Sequence, residues 1–305
     1  MISLKQITYA LAVEQSLHFK KAAEACAISQ SALSTALSEL EKQLGFQIFE
    51  RNNKKVLTTP LGQQFLDKAR IIKLQVNELQ QMADAYKTPL SYPITMGVIP
   101  TVGPYLFPKV LPALRKQYPD FQLRIIEEQS HVLVDKVRQG EIDTAIIALP
   151  YAHDGLLAFE FWQEDFYWMT HRDDTMASRE EITSSDLEYS RLMLLEEGHC
   201  LKDHALTACK LRSSEQNKTF TSTSLNMLIH MVAGKIGTTL VPEIALDQLM
   251  NNGSELRAVH LNEPGPHRRI AFIVRPNYPG VANIELLMTL FGTQLSKENR
   301  RGQAR

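Results

Sequence analysis

The sequence predicts an α/β protein with a helical N-terminal segment. Apolar residues recur at helical spacing through the first 90 positions, and strand-length runs alternate with helix-length runs after that. A length of 305 residues allows two or three domains, each able to bury a core without a disulfide or metal staple. With 44% hydrophobic and 22% charged residues and no low-complexity tract, the composition excludes disordered and fibrous classes.

In chain order, Leu4, Ile7, Leu11 and Ala12 mark a first helix, and Phe19, Ala22, Ala23 and Ala25 a short second one. Ser29 has the chemistry of an N-cap, because its hydroxyl can accept from a first-turn amide that has no partner inside the helix. Leu33, Leu37, Leu40 and Leu44 follow on one face, and Gly45 supplies the stop. The opposite face carries Gln30, Ser31, Ser34, Thr35 and Ser38, all polar and uncharged. IFERNNKKVLT reads as two short strands around Asn52-Asn53, a pair that tolerates the positive φ of a tight hairpin. Thr59 and Pro60 read as the cap and first position of a long helix. In it Leu61, Phe65, Ala69, Ile72, Val76, Leu79, Met82 and Tyr86 step by three or four residues until Pro89. That is a rod of about 40 Å, with an apolar stripe that wants a partner helix.

From residue 93 the pattern changes. ITMGVIP, FQLRIIEE, IDTAIIAL, FYWMTH, RLMLLE, GTTLVP and RRIAFIV read as strands, with helices such as YLFPKVLPALRKQY, SLNMLIHMVAGK and IELLMTLFGTQL between them. This is the pattern of parallel sheets covered by helices, and about 210 residues suit two α/β lobes, with a break near residue 163 and a return near 265. Met193, Met227, Met231 and the aromatics of FEFWQEDFYWM read as packing.

No apolar run approaches the ~20 residues that cross a bilayer, and MISLKQITYALAVEQ lacks the pattern of a signal peptide, so a cytoplasmic location and no membrane partner are expected. Three cysteines, Cys26, Cys200 and Cys209, cannot build a secreted disulfide framework. Net charge is −1, divided as +3 over residues 1–90 and −4 over the remainder, which directs any DNA-facing surface to the N-terminus. There is no GxSxG or GxxxxGK[ST] string, so hydrolase and kinase readings lack support.

AAEACAISQSALSTALSELEKQLGFQIFER resembles the winged helix-turn-helix of LysR-type transcriptional regulators. The resemblance implies a winged helix-turn-helix over 1–58, a linker and dimerisation helix over 59–88, and a regulatory domain over 89–305. That domain would be like a periplasmic binding protein, with lobe I at about 91–163 and 266–300 and lobe II at about 164–265. In the matching positions Ser29, Gln30, Ser31 and Ser34 would face DNA, while Arg51, Lys54 and Lys55 in the wing would touch phosphates. IPTVGPYLFP and EEGHCLKDHALTAC resemble the peroxide-sensing branch of the same family. This implies a redox pair at Cys200 and Cys209 and a peroxide pocket of Thr101, Ser130, His199, Asp203 and Arg268, with no cofactor and no metal. Ser130 stands where that branch often carries threonine. The implied partners are double-stranded promoter DNA, a homotetramer built as a dimer of dimers, RNA polymerase, hydrogen peroxide and a glutaredoxin- or thioredoxin-type reductant. The chain would not be an enzyme.

Cys200 opens a helical pattern in which Leu201, Ala205, Ala208 and Leu211 share the buried side. The amides and dipole of a helix N-terminus favour the thiolate, and His199 and Lys202 lie close in sequence, so an acidic thiol is expected. If residues 201–209 are helical, the two cysteines lie about 13 Å apart by helix rise, against the roughly 4.4–6.8 Å that a disulfide allows, so a bond requires the helix to unwind. Alternatives stay open. The pair also reads as packed small side chains, and His199, Cys200, His204 and Cys209 as metal ligands, although no CxxC or HxxxH clip is present. Cys26 reads as core. A regulator that binds a metabolite between its lobes, and a thiol peroxidase, are the competing functions.

Overall fold

The structure, a computed structural model, describes residues 1–51, 56–85, 89–210, 222–250 and 255–302. It forms two compact units, residues 1–83 and 84–305.

The first unit is built from α1 (Leu4–Ser16), α2 (Phe19–Ala25), α3 (Gln30–Leu44), a hairpin of β1 (Phe49–Arg51) and β2 (Val56–Thr58), and α4 (Pro60–Ala85). Local signals set each boundary. Ser3 and Gln6 form a capping box on α1, Ser29 Oγ accepts from Ala32 N at 3.2 Å, and Gly45 closes α3 in the left-handed conformation at φ 75°. Thr59 Oγ1 accepts from Gly62 N at 2.9 Å ahead of Pro60. Ala22 and Ala23 let the helices approach, and Leu33, Leu37, Leu40, Ile48, Phe49 and Leu66 fill the core between them. Glu41 Oε1 accepts from Ile48 N and Phe49 N, tying α3 to the hairpin. Arg70 Nη1 lies 2.7 Å from both carboxylate oxygens of Glu14, fastening α4 to α1. Arg51 is in register with Val56, and Asn52, Asn53, Lys54 and Lys55 lie outside the described residues. Leu61, Ile72, Leu79 and Met82 of the apolar stripe on α4 remain exposed in the single chain.

In the second unit the order is β3 (Ile94–Val98), α5 (Gly103–Gln117), β4 (Leu123–Glu127), α6 (Ser130–Gln139), β5 (Thr144–Leu149), β6 (Leu157–Glu164), β7 (Phe166–His171), β8 (Glu181–Ile182), α7 (Cys200–Ala208), α8 (Leu225–Ala233), β9 (Thr239–Pro242), α9 (Leu246–Met250), β10 (Leu256–Leu261), β11 (Arg268–Val274) and α10 (Val281–Gly302). A five-stranded sheet runs β4-β3-β5-β11-β6, and a four-stranded sheet runs β8-β10-β7-β9. Both sheets are mixed, not parallel as the alternation suggested: β11 is antiparallel to β5 and β6, and β7 is antiparallel to β9 and β10. The reason is the return of the chain into the first sheet after the second has formed. The run 191–196 is not a strand. It makes isolated bridges, Leu192 to Thr238 and Leu195 to Ser222, and its apolar side chains are buried from an irregular backbone. Strands β6, β8 and β10 were absent from the sequence reading. Met193 is buried as expected, whereas Met227 is exposed on α8.

The two sheets are joined twice within a short distance. β6 ends at Glu164 and β7 begins at Phe166, while residues 262–267 bring the chain back to β11. His267 N donates to Glu164 O at 3.1 Å and Phe166 N to His267 Nδ1 at 2.9 Å, stapling the crossings together. The antiparallel register then sets Arg268 directly across from Glu164.

Candidate functional site

Two sets of residues were singled out, one in each unit. On α3, Ser29, Gln30 and Ser31 are exposed and Ser34 is half-buried, on the face opposite Leu33, Leu37 and Leu40. Ser29 Oγ accepts from Ala32 N and lies 3.0 Å from Ser31 Oγ, so the first turn presents a fixed row of short polar groups. The face suits base edges, which are read by hydrogen bonding and close approach. Arg51 is in β1, with its side chain outside the described residues, as are Lys54 and Lys55.

In the second unit Cys200 is the first residue of α7, His199 is its N-cap and Cys209 its C-cap. Both cysteines are free and buried, at 3% and 2% exposure. Leu201 and Ala205 are buried on the expected side, Ala208 is half-buried, and Leu211 lies outside the described residues. Gly198 precedes the helix at φ 94°, a conformation in which any other residue would be strained, and a Cβ there would also displace the Gln129 side chain.

Arg268 is fully buried. Its Nε donates to Glu164 Oε1 at 2.5 Å, Nη1 to Thr101 Oγ1 at 3.1 Å and Nη2 to Thr101 O at 3.0 Å. Glu164, which sequence reasoning missed, also accepts from Ile244 N at 2.8 Å. Because Thr101 Oγ1 accepts from arginine, its own proton is available to a guest in the pocket. Ser130 is 1% exposed, and among the described residues its Oγ has no hydrogen-bond partner within ordinary geometry. It nevertheless stands close enough to Cys200 to stabilise the thiolate, as do the charge of Arg268 and the backbone of Ala148. Burial outweighs them and pushes the Cys200 thiol up, and the charge of Asp203 adds to that rise. The acidic thiol expected from the helix terminus is therefore corrected: this N-terminus is buried, and desolvation penalises the anion. Lys202 pairs with Glu197 at 3.8 Å. Burial likewise pushes the Cys209 thiol up to about 12, helped by Glu263.

The structure thus brings Ser130, Arg268 and Cys200 together, with Thr101 bound to Arg268. His199 is buried, its Nε2 lies 3.3 Å from Gln129 Nε2, and burial holds its pKa down. Asp203 is the exception in the set, an exposed residue on the outer side of α7. His204 Nε2 lies 2.8 Å from Pro150 O, and burial lowers its pKa too. A cleft of about 210 Å³ opens beside the pocket, lined by Thr101, Tyr105, Glu127, His199, Ser224 and Asn226. Tyr105 Oη donates to Asn226 Oδ1 at 3.3 Å across it, and burial raises the phenol to about 12. Among the described residues no group of three or more His, Cys, Asp or Glu side chains is arranged to hold a metal ion. Cys26 caps the end of α2 and is half-buried against the core of the first unit.

Residues 4–63 match the model of the bacterial regulatory helix-turn-helix protein, lysR family, and residues 87–296 that of the LysR substrate binding domain. The chain belongs to the LysR family of transcriptional regulators. Relatives match along nearly the full length. The chain is 34% identical to the HTH-type transcriptional regulator EstR of Acinetobacter baylyi, covering 94% of this chain and 95% of the relative. It is 36% identical to a probable hydrogen peroxide-inducible genes activator of Streptomyces viridosporus, covering 93% and 92%. Among solved structures, a full-length OxyR variant from Pseudomonas aeruginosa superposes with a TM-score of 0.79 at 34% identity, covering 96% of this chain and 98% of that one. No helix among the described residues is long and apolar enough to cross a membrane.

Proposed function

We propose that this LysR-type regulator senses hydrogen peroxide through Cys200 and Cys209 and converts the oxidation into a changed grip on promoter DNA. The observation that carries the reading is the placement of Cys200 against Ser130, Arg268 and Ala148 at one end of α7, with Cys209 at the other end of the same helix. The similarity to peroxide-inducible activators and to OxyR supports it.

The Cys200 thiolate attacks one oxygen of the peroxide and the O–O bond breaks. The leaving hydroxide takes up a proton as water, and Cys200 becomes a sulfenic acid. The Cys209 thiolate then attacks the Cys200 sulfur, the S–O bond breaks and a second water leaves. Two thiols are oxidised to one disulfide and one peroxide is reduced to two waters. Ser130 and Thr101 offer protons to the peroxide, and Arg268, held by Glu164, stabilises the charge that develops on it. His199 closes the cleft side of the pocket. Asp203, exposed, contributes to the electrostatics of Cys200 rather than to peroxide contact. A glutaredoxin- or thioredoxin-type thiol resets the bond by exchange.

The chain divides for this purpose into a DNA-binding segment (1–58), a dimerisation helix (59–88) and a regulatory domain (89–305). Gln30, Ser31 and Ser34 meet base edges beside Ser29 at the DNA-facing cap, and Arg51, Lys54 and Lys55 meet phosphates. A dimer of dimers in the cytoplasm shifts its operator footprint on oxidation and recruits RNA polymerase. The test is a footprint on promoter DNA before and after one equivalent of peroxide, with thiols mapped on the same sample. The expected result is a Cys200–Cys209 link and a changed footprint, both lost in Cys200→Ser. The cleft between the two sheets favours a second reading, a metabolite-responsive regulator without redox chemistry. A ligand response that survives replacement of both cysteines by serine would establish it instead.

A further inference from the structure

His204 takes no part in the chemistry above, yet it sits one helical turn from Cys200 on the buried side of α7, at 3% exposure. Its Nε2 lies 2.8 Å from Pro150 O. A carbonyl only accepts, so Nε2 carries the proton and the neutral ring leaves Nδ1 as a bare acceptor. Nδ1 is buried and has no partner among the described residues. The ring therefore makes one directional bond, and that bond goes to the segment just past β5. The same end of β5 meets the Cys200 thiol through the backbone of Ala148. Two side chains one turn apart on α7 thus face one strand end, the thiol close to Ala148 and the imidazole bonded at Pro150.

We propose that His204 is a positioning residue, a latch whose Nε2–H bond to the Pro150 carbonyl holds the first turn of α7 helical and keeps Cys200 seated at its oxidation pocket. The latch sets how readily oxidised Cys200 reaches Cys209. Joining the two sulfurs unwinds the turn that contains both Cys200 and His204, so this bond breaks as the disulfide forms. A weaker latch gives faster closure and a lower threshold. A firmer one leaves the sulfenic acid exposed longer to further oxidation. The proposal rests on the redox reading for its purpose, but the latch itself is measurable without peroxide.

The experiment uses the reduced full-length chain and compares the parent, His204→Leu, which removes the donor, and His204→Gln, whose amide nitrogen can replace Nε2. Amide exchange across α7 should quicken roughly fivefold in the leucine variant, the worth of one hydrogen bond. It should return toward the parent in the glutamine variant and stay unchanged in α8. After one equivalent of peroxide, the interval between sulfenic acid and disulfide should shorten by the same factor in His204→Leu only. Unchanged exchange in α7, equal quickening in α7 and α8, or no restoration by glutamine would each overturn the latch. If the leucine variant does not fold, the ring tautomer of the parent decides by nitrogen NMR at pH 7. A proton on Nε2 alone supports the proposal, and a proton on Nδ1 or a charged ring refutes it. Failure of the parent to form any disulfide would refute the redox reading, while the exchange comparison would still decide the latch.

Discussion

Two helices, α3 and α7, are held in opposite ways. α3 has fifteen residues, a side-chain cap at Ser29 and a left-handed glycine at its end, so local signals fix both ends of a helix whose apolar face is packed into the core. α7 has nine residues, a cap at His199 that makes no side-chain bond, and an end at Cys209 followed by Lys210 at φ 54°. An isolated helix so short is marginal. It persists because its apolar side is buried and because Cys200 and His204 meet the end of β5. Under the proposed function each suits its role: a surface that reads DNA keeps its shape, and a segment that refolds on a signal is held by contacts the signal can remove.

The largest rate effect that bears on this contrast is the pH dependence of Cys200, which accumulates over several pH units. Burial raises its pKa, so the thiolate is a minor species at neutral pH and its fraction grows as pH rises toward that raised value. The rate of peroxide oxidation should climb about tenfold per pH unit through neutral pH. Stopped-flow measurement checks it, and a plateau at pH 7 would mean that α7 presents an exposed, acidic thiol. Next is Glu164→Gln, which leaves Arg268 charged and unpaired in the interior. Breaking such a pair costs roughly 3–5 kcal/mol, read by denaturant unfolding of the second unit. A loss below about 1 kcal/mol would show that tertiary charge pairing does not hold this site. The smallest is Ser29→Ala, which removes the cap of α3 and should cost about 1 kcal/mol in the first unit. A larger loss there would erase the distinction between local and tertiary support.

The same contrast governs what the sequence discloses. The helices and caps of the first unit depend on neighbours within four residues, and Ser29, Gly45, Thr59 and Pro60 announce them. The pocket around Cys200 depends on Thr101, Ser130, Ala148, Glu164 and Arg268, which come from separated elements and meet only through sheet register. Resemblance supplied most of that set, and nothing in the local pattern marks Glu164, because its role comes from lying across β6 and β11 from Arg268. The raised pKa of Cys200 is equally hidden, since sequence shows the helix terminus but not its burial. The mixed sheets escaped for a related reason, as strand direction is decided by how the chain returns and not by composition. Run 191–196 was apolar enough for a strand but is buried without one.

By helix rise Cys200 and Cys209 lie too far apart to join while α7 stands. Amide exchange over residues 201–208, measured before and after one equivalent of peroxide with the thiols mapped on the same sample, tests it most directly. A Cys200–Cys209 cross-link should appear together with loss of protection along α7. A full cross-link with the protection of α7 intact would contradict it.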